Sequence, residues 1–216
     1  MSARDNILAR IRTALGRNEP LDAQQSADMR TKLRMHPRGP QPDMSWDLLE
    51  RFRERCTILS TTVDEAVNLG EVPAAVARYL SERQLPVAGA CWPEFGALPW
   101  SPAGLGIEAR AVTGDDRLGI TGTFCAVAET GTLMLLSGPD THPATSLLPE
   151  THIAIVPVSR LVRSMEDGWD LLRREKERLP RQVAFVSGPS RTADIELTLV
   201  LGIHGPTRVH VVLVGD

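Results

Sequence analysis

HIAIVPVSRLVRSMEDGWDLLRREKERLPRQVAFV, residues 152–186, decides the fold class. It opens on a nearly continuous apolar run at 152–158, which reads as a strand buried on both faces. An amphipathic helix over 161–178 follows, and a second short strand at 182–186 closes the unit. Strand, helix, strand in that order points to a parallel sheet covered by helices.

The same alternation extends in both directions. Downstream, VHVVLV at 209–214 is a last, nearly all-apolar strand. Upstream, apolar runs at 120–128 and 132–137 flank Glu129, Thr130 and Gly131, a connection short enough for a hairpin with glycine at its turn. Before them come a strand at 107–112, a loop over 92–106 rich in proline and glycine, and a strand at 87–91. Asp64 opens a helical pattern that is interrupted near Pro73, reaches Leu85 and is ended by Pro86. Residues 56–59 read as a short strand. Ser45 is an N-cap for an amphipathic stretch carrying Trp46, Leu48, Leu49 and Phe52. The expectation is an α/β domain over 45–216, with a mainly parallel sheet flanked by helices.

Residues 1–44 differ in character. Ile7, Leu8, Ile11 and Leu15 recur at helical spacing over 5–15, with Gly16 as a stop. The chain then turns polar as far as Asp43, and Pro20, Pro37, Gly39, Pro40 and Pro42 break regular structure, with room for a short helix at about 27–33. This is an N-terminal helix on a proline-rich tether, able either to reach a partner or second subunit or to fold back on its own domain.

With 216 residues, one main core is expected. At this size folding buries roughly 70% of the unfolded surface or more, so neither metals nor disulfides are needed for stability. A hydrophobic fraction of 42% against 24% charged residues excludes disorder throughout. The net charge of −3, without any basic run, argues against nucleic acid as a partner. The charged N-terminus does not suit a secretory peptide, and no 18-residue apolar stretch is available to span a bilayer, so a cytoplasmic location is expected. Cys56, Cys91 and Cys125 are odd in number, widely spaced and never in CxxC, which reads as reduced thiols filling the core.

Three constellations carry candidate chemistry. Gly119, Ile120, Thr121 and Gly122 lead through Ala128 to Glu129, Thr130, Gly131 and Thr132. A carboxylate there, at the end of an apolar strand, can serve as base, nucleophile or ligand anchor, or the segment can be a turn whose polar groups cap the backbone. The second runs from Ser187 through Gly188, Pro189, Ser190, Arg191, Thr192, Ala193, Asp194 and Ile195 to Glu196. A loop leaving a strand end and entering a helix gathers N–H groups, hydroxyls and an arginine around one point, which suits a phosphate or carboxylate. Alternatively Ser190 or Thr192 caps the helix while Arg191 pairs with Asp194 or Glu196. It lacks the glycines of a Walker loop or of GxGxxG. The third is Gly202, Ile203, His204, Gly205 and Pro206, where His204 can donate a proton, touch a ligand, or only shape a turn. His142, His152 and His210 join it in no compact ligand spacing and HExxH is absent, so no metal site is expected. No GxSxG occurs to suggest a serine hydrolase.

AETGTL at 128–133, LPETHIAIVP at 148–157 and GPSRTADIELTLVLGIHGP at 188–206, followed by RVHVVLVGD, resemble the signature of the LUD domain, found in lactate utilization protein C and its relatives (the LutC/YkgG family). The match is dense over the last hundred residues, one of pattern over 45–112, and weak before Ser45. The resemblance implies a fold like that of the NagB/RpiA/CoA-transferase superfamily. It also implies a part in bacterial oxidation of L-lactate to pyruvate together with iron-sulfur proteins. With neither a cysteine cluster nor a flavin or NAD fingerprint, no cofactor is expected on this chain and the redox centres fall to those partners. Glu129, His152, Arg191, Asp194, Glu196 and His204 all lie inside matched motifs. The expected site therefore has Arg191, Ser190 and Thr192 binding a small carboxylate or other anion, with Gly188, Thr130, Gly131, Thr132, Asp194 and Glu196 around it and Glu129 and His204 completing the wall. The function implied is that of a non-redox subunit. The alternatives are a free-standing transferase or isomerase using Glu129 and a small-molecule sensor.

Overall fold

The computed structural model describes residues 2–16, 21–192 and 200–215. The chain divides into two units, Met1–Asp43 and Met44–Asp216. In the first, α1 (Ala3–Ala14) and α2 (Ala23–Met35) each start on a reciprocal cap, Ser2 with Asp5 and Asp22 with Gln25. Each cap satisfies two backbone N–H groups that a helix start leaves open, which is why both helices begin earlier than apolar spacing alone suggests.

The second unit opens with α3 (Leu48–Ile58), capped by Asp47 rather than by Ser45. Residues 56–59 are not a strand. Cys56 lies one helical turn beyond Phe52, and both are fully buried on the same face, so the helical period continues to Ile58. Asp64 does not open a helix either, because Thr62–Ala66 forms β1, paired in parallel with the last strand of the chain. The helix α4 begins only at Val72 and runs to Glu82. Pro73 stands in its first turn, where the missing N–H costs nothing, so it starts a helix instead of interrupting one.

There follow β2 (Ala88–Cys91), two short 3-10 turns within 92–106, β3 (Gly106–Ala109) and β4 (Leu118–Thr121). The apolar run 120–128 is shared between two sheets. Its start ends β4, while β5 (Cys125–Val127) forms an antiparallel hairpin with β6 (Thr132–Leu136) in a separate layer. After β7 (Thr151–Pro157), the expected helix over 161–178 gives up its first residues to β8 (Leu161–Val162), which pairs with β5. A capping box of Ser164 and Asp167 then starts α5 (Met165–Glu175). The chain continues through β9 (Val183–Val186), β10 (Arg191–Thr192), β11 (Val200–Leu201) and β12 (Arg208–Val214).

Six strands form a wholly parallel sheet in the order β1-β12-β7-β4-β2-β3. Burial on both faces explains their continuous apolar runs. One face is covered by α4, through Val72, Val76 and Leu80 against Ile120, Ile153, Ile155, Val212 and Val214. The other face takes α3 through Phe52 and Cys56, together with the inner side of a second sheet, β8-β5-β6-β9. On the outer side of that second sheet, Leu172 of α5 meets Cys125 and Met134. The domain is thus α/β, as the sequence indicates, with an added four-stranded layer.

Candidate functional site

The last turn of α3 is the foundation of the site. At Gly131, φ is +68°, and a Cβ there would stand 2.9 Å from backbone atoms of Arg55 and Cys56. At Gly188, φ is +80°, and a Cβ would meet the Leu59 carbonyl oxygen at 2.5 Å. Both glycines combine a left-handed backbone with close approach to the same helix end, which no other residue type tolerates without strain. Two distant motifs are thereby brought together.

Side chains complete the join. Thr130 donates to Thr132 Oγ1 at 2.8 Å, and Thr132 lies 2.7 Å from Ser187 Oγ, a chain of three hydroxyls across the two loops. Arg55 Nε donates to the Glu129 carbonyl at 2.9 Å, while the Glu129 N–H donates to the Arg163 carbonyl. Arg163 in turn holds the carbonyls of Met44 and Trp46. The third motif joins through Ser190, whose N–H donates to Pro206 and whose carbonyl accepts from Gly202. The loops carrying Glu129, Ser190 and His204 therefore meet at the amino-terminal edge of the parallel sheet, where α3 leads into β1 and residues 202–207 lead into β12.

Arg191 Nη2 donates to the Leu59 carbonyl at 3.0 Å and to Ser60 Oγ at 2.7 Å. A cation at a helix C-terminus satisfies an open carbonyl and opposes the negative end of the helix dipole. Part of this guanidinium is thus committed to the scaffold. Thr192 is buried and stands in β10 rather than at a helix start, because it pairs with Val200. Asp194, Glu196 and the expected helix entry lie outside the described residues. Glu129 is half-buried, and its carboxylate hydrogen-bonds to no described residue; His204 is exposed.

A cavity of about 860 Å³ borders this edge, sharing Ser60 with it. His210 lies in its wall, stacked on Tyr79 with ring centroids 3.8 Å apart, and its Nδ1 is 2.8 Å from Thr62 Oγ1. Its Nε2 is buried without a partner among the described residues. Burial lowers the His210 pKa to about 4, against an opposing pull from Asp64. Arg83 lies over the other ring, 4.7 Å from the centre of Tyr79, and Arg78 pairs with Asp64 at the rim. Nothing in the sequence marks this cavity, because Tyr79 and His210 come from a helix and a strand whose meeting depends on the strand order.

His152 and His210 do not share a site. His210 pairs with Ile153, so His152, one residue earlier, points to the opposite face of the sheet. There it is fully buried, with Nε2 2.8 Å from Thr121 Oγ1, and burial lowers its pKa to about 4. Among the described residues, no three histidine, cysteine or acidic groups form a metal-binding cluster. Cys56, Cys91 and Cys125 are free and belong to three different core clusters. Burial pushes their thiols up to about 12, 11 and 11, respectively.

The layered sheets and the convergence of the three glycine and hydroxyl motifs define an α/β domain with a polar loop cluster at one sheet edge. The sequence profile of the LUD domain matches residues 106–214, and the chain belongs to that family. It is similar to "Lactate utilization protein C" of Bacillus subtilis, with 38% identity over 129 residues, 58% of this chain and 54% of that protein. The match thus spans about half the length of that relative. A protein of the same name from Exiguobacterium is 31% identical, with 99% of this chain and 96% of the relative covered. Among solved structures, a DUF162 family protein from Deinococcus radiodurans superposes with a TM-score of 0.60 and 25% identity, covering 78% of this chain and 96% of that one. No helix among the described residues is long and apolar enough to cross a membrane.

Proposed function

We propose that this protein is a non-redox component of a bacterial lactate utilization system, acting in the cytoplasm with iron-sulfur proteins that oxidise L-lactate to pyruvate. The observation that carries this reading is the similarity to the Exiguobacterium protein named "Lactate utilization protein C", which extends over 99% of the chain. The placement of the cysteines supports it. Three thiols enclosed in separate cores cannot converge on one cluster, so the electron-carrying centres are assigned to partners. The motif edge around Arg191 is the assigned site for a small carboxylate or other anion, since the guanidinium is anchored at one nitrogen and exposed.

Affinity capture of the tagged protein from its native cells grown on lactate tests the assignment. Co-purification of cysteine-rich proteins with iron-sulfur absorbance and lactate-dependent electron transfer is the expected result. A colourless protein recovered alone, turning over substrate by itself, would overturn it in favour of a free-standing enzyme. The anion site is tested separately by calorimetry with L-lactate and pyruvate. Arg191→Ala is expected to remove one binding step from the isotherm while the circular dichroism spectrum stays native, and an isotherm unchanged in that variant removes Arg191 from the site.

A further inference from the structure

The strand order singles out a second place on the molecule, at the opposite edge of the sheet. From β2 the chain steps outward to β3 and then back across β2 to β4, so the winding reverses between β2 and β4. In an open parallel sheet the carboxyl ends of such strands leave a crevice, since the following segments depart to different sides. A cleft of about 530 Å³ lies there, between Trp92 and Glu94 after β2, Thr123 after β4, and Lys176 and Arg178 beyond α5. Its volume is that of a small-molecule site.

The polar groups of the cleft divide sharply. Arg160 is fully engaged, donating to the Phe124 carbonyl at 2.8 Å and to both Glu175 oxygens at 2.8 and 2.9 Å. Lys176 and Arg178 also line it and donate no side-chain hydrogen bond to a described residue, although the Lys176 charge adds to Arg160 in holding the Glu175 pKa down. Glu94, exposed as a residue, places its carboxyl over Gly122, where a Cβ would come within 2.6 Å of Oε1, and the partial burial of that carboxyl raises its pKa. Asp140 also lines the cleft, so net charge does not select the ligand; two cations that hydrogen-bond to no described side chain, on one lining with Glu94, do.

We propose that this cleft binds a small organic anion, its carboxylate or phosphate held by Lys176 and Arg178 and its hydrogen-bond-donating end held by Glu94. The cleft is separate from the Arg191 edge, and its occupation does not depend on the lactate assignment. Its two sources of ligand are a free carboxylic acid and a nucleoside monophosphate, which share the anionic head and differ in the body.

Titrations with L-lactate and with adenosine monophosphate, followed through the Trp92 indole N–H resonance of the full chain, test it. At least one probe is expected to shift that resonance saturably. The Lys176→Ala/Arg178→Ala double variant is expected to weaken the binding about 10-fold or more, the loss of a charge-assisted contact. Arg191→Ala is expected to leave it unchanged. Absence of a saturable shift with either probe, equal affinity in the double variant, or loss of binding in Arg191→Ala would each overturn the proposal. Because both substituted residues are exposed, a native thermal melt of the double variant separates lost binding from lost fold.

Discussion

At the scale of single residues, the site is built by glycines that let loops reach a helix end. Replacing Gly188 by alanine forces a left-handed residue with a Cβ against the Leu59 carbonyl, and a loss of about 2 kcal/mol in urea unfolding is expected. Gly114→Ala, where a Cβ would meet nothing within 4 Å, is the control and should be neutral or slightly stabilising. The two buried histidines make a second prediction. Their native pKa values near 4 lie below the unfolded value of about 6.5, so between these limits the unfolded chain binds more protons. Their contribution is complete above about pH 6.5 and declines as the pH falls toward 4, by up to roughly 1.4 kcal/mol per unit for each histidine. Urea midpoints at pH 7.5, 6 and 5 check this. Unfolding free energies independent of pH over that range would refute the buried, neutral state of both rings.

At the scale of elements, boundaries follow caps and pairing more than apolar period. Leu161 and Val162 fit a helix pattern, but each completes a ladder with β5 instead, and the helix waits for Ser164 and Asp167. Ser164→Ala removes a reciprocal cap and should cost about 1 kcal/mol, read as a lower urea midpoint with an unchanged slope. The region 56–66 is ambiguous in sequence for a related reason. A short apolar stretch beside β-branched residues suits either period, and the choice depends on whether Cys56 finds Phe52's core or Thr62 finds β12. Arg191 likewise belongs to a turn in sequence terms, and only its bond to Leu59 reveals a helix-capping role. Arg191→Ala should therefore also cost about 1 kcal/mol of stability, measurable apart from any effect on anion binding.

At the scale of the whole molecule, the three core clusters draw their residues from 46–214, so the second unit carries its own hydrophobic interior. Residues 44–216 expressed alone are expected to melt cooperatively at the temperature of the full chain, and an aggregated or non-cooperative product would show that 1–43 contributes to folding. The α/β class is legible in the residues alone, since buried parallel strands must be apolar on both faces and read as continuous runs wherever they pair. The three motif loops are legible too, because the glycines and polar residues at 129–132, 187–192 and 202–206 announce special backbone and hydrogen-bonding demands locally. Only packing between distant segments sets which loops meet, that α3 is their common support, that Tyr79 stacks on His210, and that a cleft opens beyond the carboxyl ends of β2 and β4. Each of these is a relation between segments far apart in the chain. Strand order is set by the packing of whole layers, a many-body choice among arrangements with the same local patterns, and no single stretch of residues encodes it.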